Sequence, residues 1–272
     1  VTGTVNGTVE HLKGKALEIT TGRTTRFKGD FVMDGLPDIN NTFIDVDAQD
    51  FTTTYNDAVV LFPEIRRIQQ PQLKQITNLQ FRGSYTGFLK DFVTYGTIKT
   101  NLGTVVADIN FKLPPKGEPI YSGKLQTNGF ALGTFLGDKR LGNIVMNGSL
   151  KGRGLNPRTL FAELDTRLQQ LEFNGYNYHN ISAKGFLDRS KFDGKLGIND
   201  TNLVINLNGI IDLGKDTPVY QVNGNLFACN FKALGITKQN LFLSGDFDFD
   251  FKVKSFDDFT GTALLRNTSL LH

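Results

Sequence analysis

The residues able to do chemistry in this chain are few and badly spaced for it. His11, His179 and His272 are its three histidines. None has a second His or a Cys at the short spacing of a transition-metal ligand set. Cys229 is the single cysteine, which excludes an intrachain disulfide and a Cys-based metal site. Beside Phe227 and Ala228 it reads as a small apolar strand residue. Carboxylates occur at Asp200, within Asn199-Asp200-Thr201-Asn202, and at Asp246, Asp248 and Asp250. A calcium loop, however, needs converging oxygens with a Gly turn and a bidentate Glu. These aspartates are expected to form a solvated strand face instead. His179, in Tyr176-Asn177-Tyr178-His179-Asn180, reads as a polar residue of an aromatic strand. Neither a Gly-x-Ser-x-Gly elbow nor a phosphate-binding Gly-x-x-x-x-Gly-Lys-Ser/Thr loop occurs. No metal, cofactor or catalytic group is expected, and the chain does not read as an enzyme.

With chemistry set aside, the elements themselves carry the information. The chain has 272 residues, 39% hydrophobic and 21% charged, a composition that buries apolar surface rather than staying disordered. Gly (29) and Phe (23) are abundant, so many bends are expected among bulky apolar positions. A net charge of +3, with no long basic run, gives no footprint for nucleic acid. No stretch approaches the ~18 apolar residues of a membrane-spanning helix. The chain opens on Val1 and closes on Leu270-Leu271-His272, and is read as a fragment of a longer protein whose anchor or targeting segment lies outside it.

Period-two alternation dominates, placing successive side chains on opposite faces of a strand. Over residues 246–254, Phe247, Phe249, Phe251 and Val253 share one face and charged residues fill the other. Leu203, Ile205 and Leu207 repeat the pattern, as do Val105, Ala107, Ile109 and Phe111. Superimposed on this is a motif of apolar, any, Gly, any, apolar, centred on Gly7, Gly29, Gly83, Gly123, Gly148, Gly194, Gly209, Gly224 and Gly245. A Gly inside a strand weakens it, so its recurrence implies bending, bulging or close approach. The competing reading, turn glycines of short hairpins, fits less well because turn glycines sit in polar clusters. Residues 160–171 fit a helix through Leu160, Leu164, Leu168 and Leu171, with Asn156-Pro157 as its start, and fit a strand through their alternation. The β-rich surroundings favour the strand.

Residues 56–76 break the β pattern. Asn56 suits a cap, and Pro63 and Pro71 each suit a first helical position. One or two short helices are predicted there, as an elbow covering an end or edge of the sheet. A longer repeat also recurs: residues 87–133 resemble 185–235 at a spacing of about 100 residues, as in stacked quasi-one-dimensional folds. Gly87-Phe88-Leu89 with Gly96 matches Gly185-Phe186-Leu187 with Gly194. Pro119-Ile120-Tyr121 matches Pro218-Val219-Tyr220, and Phe130-Ala131-Leu132-Gly133 matches Phe231-Lys232-Ala233-Leu234-Gly235. Residues 1–272 are therefore read as one elongated, repetitive β domain.

Gly35-Leu36-Pro37-Asp38-Ile39, then Tyr55-Asn56-Asp57, Pro63, and Phe81-Arg82-Gly83-Ser84-Tyr85-Thr86-Gly87 follow in a familiar order. So do Phe173-Asn174-Gly175-Tyr176-Asn177-Tyr178-His179-Asn180-Ile181 and Asn199-Asp200-Thr201-Asn202. In these, and across nearly its whole length, the chain resembles TamB-type translocation and assembly module proteins of the AsmA-like group. The resemblance implies a periplasmic protein anchored in the inner membrane of a Gram-negative envelope and reaching an outer-membrane barrel of the assembly-machinery type. It implies a curved sheet forming a trough, the β-taco, that carries phospholipid and supports outer-membrane biogenesis. It brings no catalytic residue with it.

The residues alone lead to a compatible expectation. A long apolar face cannot stay in water; it must close on itself, pack on another sheet or hold something apolar. The expected fold is thus all-β, an elongated, curved antiparallel sheet forming an open apolar trough. Candidates for its lining are Phe81, Tyr85, Phe111, Leu125, Leu196, Leu207, Ile211, Leu226, Phe247, Phe249 and Phe251. Three other readings compete. A scaffold would offer strand edges to outer-membrane proteins. An outer-membrane barrel should show aromatic girdles, yet the chain has no Trp. A β-structured adhesin would have a solid core.

Overall fold

The computed structural model describes residues 1–155, 158–214, 216–255 and 258–271. Asn156-Pro157 and His272, named above, lie outside them. The chain divides into two compact units, Val1–Lys139 and Arg140–His272. The first holds β1 (Thr2–Gly7), β2 (His11–Thr21), β3 (Thr25–Asp34), β4 (Phe43–Thr53), β5 (Leu79–Phe88), β6 (Asp91–Thr100), β7 (Gly103–Lys112) and β8 (Ile120–Ala131). The second holds β9 (Leu141–Arg153), β10 (Phe161–Phe173), β11 (Tyr176–Asp188), β12 (Lys191–Asn199), β13 (Leu203–Asp212), β14 (Val219–Asn230), β15 (Phe242–Ser255) and β16 (Asp258–Leu271).

Within each unit every strand pairs antiparallel with its neighbours in sequence, a plain meander. No ladder joins β1 to β8 or β9 to β16 among the described residues, so neither unit closes into a barrel. Of residues 160–171, ambiguous by periodicity, all but Leu160 lie in β10. The nine glycines of the apolar-flanked motif all lie inside strands, which decides against the turn-glycine reading.

All eight strands of each unit belong to its one meander, so among the described residues no second sheet of the same unit covers its apolar face. Leu17 is nevertheless 0% exposed, and Ile44, Ala48, Ile144, Ile181 and Phe247 are buried. A flat single sheet would leave one whole face wet; burial on this scale requires the sheet to curve over its own apolar side. Glycine makes the bend possible. Gly83 has φ +148°, a backbone region closed to other residues, and a β carbon there would stand 2.1 Å from the Tyr95 carbonyl oxygen. Gly209 repeats this at φ +142°, 2.1 Å from the Gln221 oxygen. These glycines sit where adjacent strands come too close for any side chain.

The predicted break lies between β4 and β5. It consists of α1 (Tyr55–Leu61) and two 3₁₀ turns, Pro63–Arg67 and Leu73–Gln75. Thr54, not Asn56, is the cap, its hydroxyl accepting from the Asp57 N–H at 3.3 Å. Pro63 does open its 3₁₀ turn, whereas Pro71 precedes the next one by two residues. The break is fastened at three points. The Asp57 carboxylate reaches the β2–β3 turn. Asn101, in the β6–β7 turn, accepts from the Thr77 N–H at 2.8 Å and donates to the Gln75 carbonyl at 2.9 Å. Gln72 N–H donates 2.7 Å to the carbonyl of Phe135 in α2 (Leu132–Leu136), just beyond β8. The elbow thus crosses one end of the first unit's sheet, as expected.

The repeat acquires a register. Pro119 and Pro218 immediately precede β8 and β14, and Gly96 and Gly194 lie on β6 and β12. Gly185 faces Gly194 across the ladder, as Gly83 faces Gly96, while Gly87 faces Phe92. The ladder equivalent of Gly185 is therefore Gly83, four residues before the Gly87 of the sequence match.

Candidate functional site

Directly opposed residues of a ladder share a face, and steps of two along a strand keep it. In the first unit Phe81 stands opposite Phe51 and Ile98, Tyr85 opposite Val46 and Thr94, Phe111 opposite Phe92 and Tyr121, and Leu125 opposite Ala107. The four candidates of this unit therefore share one face. In the second, Leu196 opposes Leu207, Leu207 opposes Gly224, Gly224 opposes Phe247, and Ile211 opposes Tyr220, whose other partner is Phe251. Leu226 and Phe249 follow at steps of two. All seven candidates of this unit share a face as well.

Aromatic rings tile parts of both faces. Tyr85 and Phe92 stack at 4.7 Å and Phe92 and Phe111 at 5.1 Å, bridging three strands. Burial pushes the Tyr85 phenol up to about 12, while its O–H donates to the Phe88 carbonyl at 2.8 Å. On β15, Phe247 and Phe249 stack at 4.9 Å, and Phe249 meets Phe251 at 5.2 Å. Between β13, β14 and β15 the second unit's apolar face opens into a cavity of about 250 Å³, lined by Ile205, Leu207, Val222, Leu226, Phe247 and Phe249 among others. That is slightly below the ~300–1,000 Å³ of small-molecule pockets, enough for part of a hydrocarbon chain.

The opposite face is polar and paired across strands. Lys28 meets Glu18 at 2.7 Å, Lys112 meets Asp91 at 2.6 Å and Lys184 meets Asp165 at 2.9 Å. Exposed pairs of this kind add little to stability; their main effect is to keep this side wet. Asp248 and Asp250 are exposed there, as alternation predicted, and Asp246 accepts from the amides of Asn225 and Asn267 at 2.6 and 2.8 Å.

Asp200 departs from the expected solvated position. It lies in the β12–β13 turn, 5% exposed. Its carboxylate accepts from the Tyr176 hydroxyl, from the Asn202 N–H at 2.9 Å and from the His179 N–H at 3.1 Å, with His179 Nδ1 3.0 Å away. Burial pushes this carboxyl up, but these hydrogen bonds outweigh it and hold it below the usual range. Asn202 in turn donates to the Tyr176 oxygen at 3.0 Å. The cluster is a peg joining the turn to β11, and His179, a polar residue of that aromatic strand as its sequence suggests, is part of it.

Cys229 is buried on the apolar face, opposite Leu203 and Leu243, as its neighbours implied. Phe92 and Val222 belong to the apolar face without having been singled out, and Ile205 belongs to it as its alternation with Leu203 and Leu207 implied. Phe92 sits in Phe92-Val93-Thr94-Tyr95, where both phases of the alternation carry bulky residues; only the ladder shows Phe92 inward and Val93 and Tyr95 exposed. Among the described residues no three His, Cys, Asp or Glu side chains gather as a metal site would require. No protein-family model, curated protein or solved structure matches the chain.

Proposed function

We propose that the chain is a segment of a TamB-type bridge, in which the apolar face of the curved sheet carries phospholipid acyl chains between the membranes of a Gram-negative envelope. The observation that carries this reading is the unlayered apolar face with its cavity of about 250 Å³ beside Leu207 and Phe249. A sheet evolved only for stability would fill that face with a second layer. An acyl chain lying there gains roughly 0.8 kcal/mol per buried CH₂, comparable to its environment in a bilayer. The free-energy profile along such a face is then nearly level, as passive transfer requires. Periplasmic location, an inner-membrane anchor and an outer-membrane barrel partner belong to this proposal through the sequence resemblance.

The test is photo-crosslinking in cells from positions 207 and 249, followed by lipid analysis, with position 248 on the polar face as control. Phospholipid attached at 207 and 249 but not at 248 is the expected result. Equal labelling at 248 sinks the proposal. A second reading, a scaffold that pairs its strand edge with outer-membrane proteins, is favoured by β16. This strand ladders only with β15 among the described residues and leaves Leu264, Leu265, Leu270 and Leu271 exposed. It predicts crosslinks from β16 to protein instead.

A further inference from the structure

The elbow across the end of the first unit carries an apolar surface that its own fold does not use. Asp57 and Val59 of α1 point inward and are buried, whereas Val60 is 73%, Leu61 47%, Phe62 48% and Ile68 44% exposed. Three consecutive bulky apolar residues in water are unusual for a segment fastened at three points; loosening does not explain them. Between Phe62 and Ile68 stand Arg66 and Arg67, both exposed. Lys74 is exposed on the following 3₁₀ turn, and Arg23, whose N–H donates to Asp57 at 3.1 Å, is exposed at the same end. Residues 58–77 contain Arg66, Arg67 and Lys74 against the single carboxylate of Glu64.

We infer that this elbow seats on the surface of an anionic lipid bilayer, with Val60, Leu61, Phe62 and Ile68 entering the headgroup–acyl boundary and Arg66 and Arg67 meeting lipid phosphates. The charge decides between a bilayer and a protein as occupant. Arginine occurs in protein interfaces too, but a net positive charge beside an apolar patch is complementary to anionic phosphate, and the long cationic stems can reach outward to it while the apolar side chains enter the acyl boundary. The inference stands apart from the trough, since it requires only the elbow's exposed residues and not lipid inside the sheet.

The experiment is co-sedimentation of the purified chain with phosphatidylcholine vesicles, with and without 30 mol % phosphatidylglycerol as a working composition of roughly physiological anionic content. Binding is expected to the anionic vesicles, weakened at least about tenfold by Arg66→Glu with Arg67→Glu and abolished by Leu61→Asp with Phe62→Asp. Leu264→Asp, at an exposed apolar site on β16, is expected to bind like the parent. A fluorophore attached at Val60→Cys in a Cys229→Ser background covers the case of a misfolded variant. It should shift to the blue on anionic vesicles, while the same dye at Val93→Cys, on the polar face, should not. No binding by the parent chain, binding unaffected by the Leu61 and Phe62 changes, or equal shifts at 60 and 93 would each overturn the inference. So would self-association lost in the Leu61/Phe62 variant without vesicle binding, which assigns the patch to protein. Uptake of a fluorescent fatty acid, measured on the same variants, reports the trough separately.

Discussion

Gly83 and Gly96 face each other across β5 and β6, so close that a β carbon on Gly83 would lie 2.5 Å from the Cα of Gly96. Gly83→Ala combines this overlap with a φ that alanine avoids, and is expected to lower stability by about 2–4 kcal/mol. Gly117→Ala shares a positive φ (+117°) but meets nothing within 4 Å, so it should cost less. Urea unfolding of the two variants separates crowding from strain; equal losses would show that close approach has no role.

Two buried carboxylates make stability depend on acid. Asp57 accepts hydrogen bonds from the Thr24 N–H at 2.7 Å and the Thr25 N–H at 3.1 Å, and from both hydroxyls. These bonds hold its carboxyl below the usual range, the Thr24 backbone bond most. Asp200 is lowered as well. A folded value below the unfolded one, about 4 for aspartate, gives support that is complete above that pH and lost as pH falls through the lowered values. Thermal melts should therefore show this contribution unchanged from pH 7 to 5 and declining below about 4. The decline should be shallower in Asp57→Asn.

Asp200→Ala removes the acceptor shared by Tyr176, His179 and Asn202 and should cost about 1–3 kcal/mol. Asp248→Asn, on the exposed polar face, should be silent within about 0.5 kcal/mol. Chemical denaturation of both variants checks the contrast between two aspartates of the same chain.

Phe247→Ala should destabilise by about 3–5 kcal/mol and enlarge the cavity beside Leu207. If the trough takes hydrocarbon, a fluorescent fatty acid should bind this variant at least as well as the parent. Phe249→Glu should abolish that binding. Fluorescence titration reads both.

Burial pushes the Cys229 thiol above its ordinary value, and the side chain faces Leu203 and Leu243. Alkylation by a maleimide at pH 8 should be slow in the folded chain and fast in urea. Mass spectrometry over time measures the ratio.

What could be read from the residues was whatever depends on strand periodicity. The alternation of Phe247, Phe249 and Phe251 with aspartates identified a face without any partner strand, and the in-strand glycines announced a bent sheet. What escaped depends on partners distant in sequence. Asp200 looks like any turn aspartate until β11, 21 to 24 residues earlier, supplies His179 and Tyr176. Asp57 sits at a helix start, and its partners are Thr24 of the β2–β3 turn and Thr25 at the start of β3, 33 and 32 positions before it. Phe92 was illegible because its strand is apolar on both phases over four residues.

The meander has a consequence for how such a chain is made. Apart from β4 and β5, which the elbow separates, each strand finds its partner across a short loop, and little of the polypeptide has to wait for a distant segment. A chain emerging end-first through a narrow pore could fold strand by strand, each new hairpin templated on the one before. Length then becomes a modular quantity, adjustable by whole hairpins without redrawing the topology.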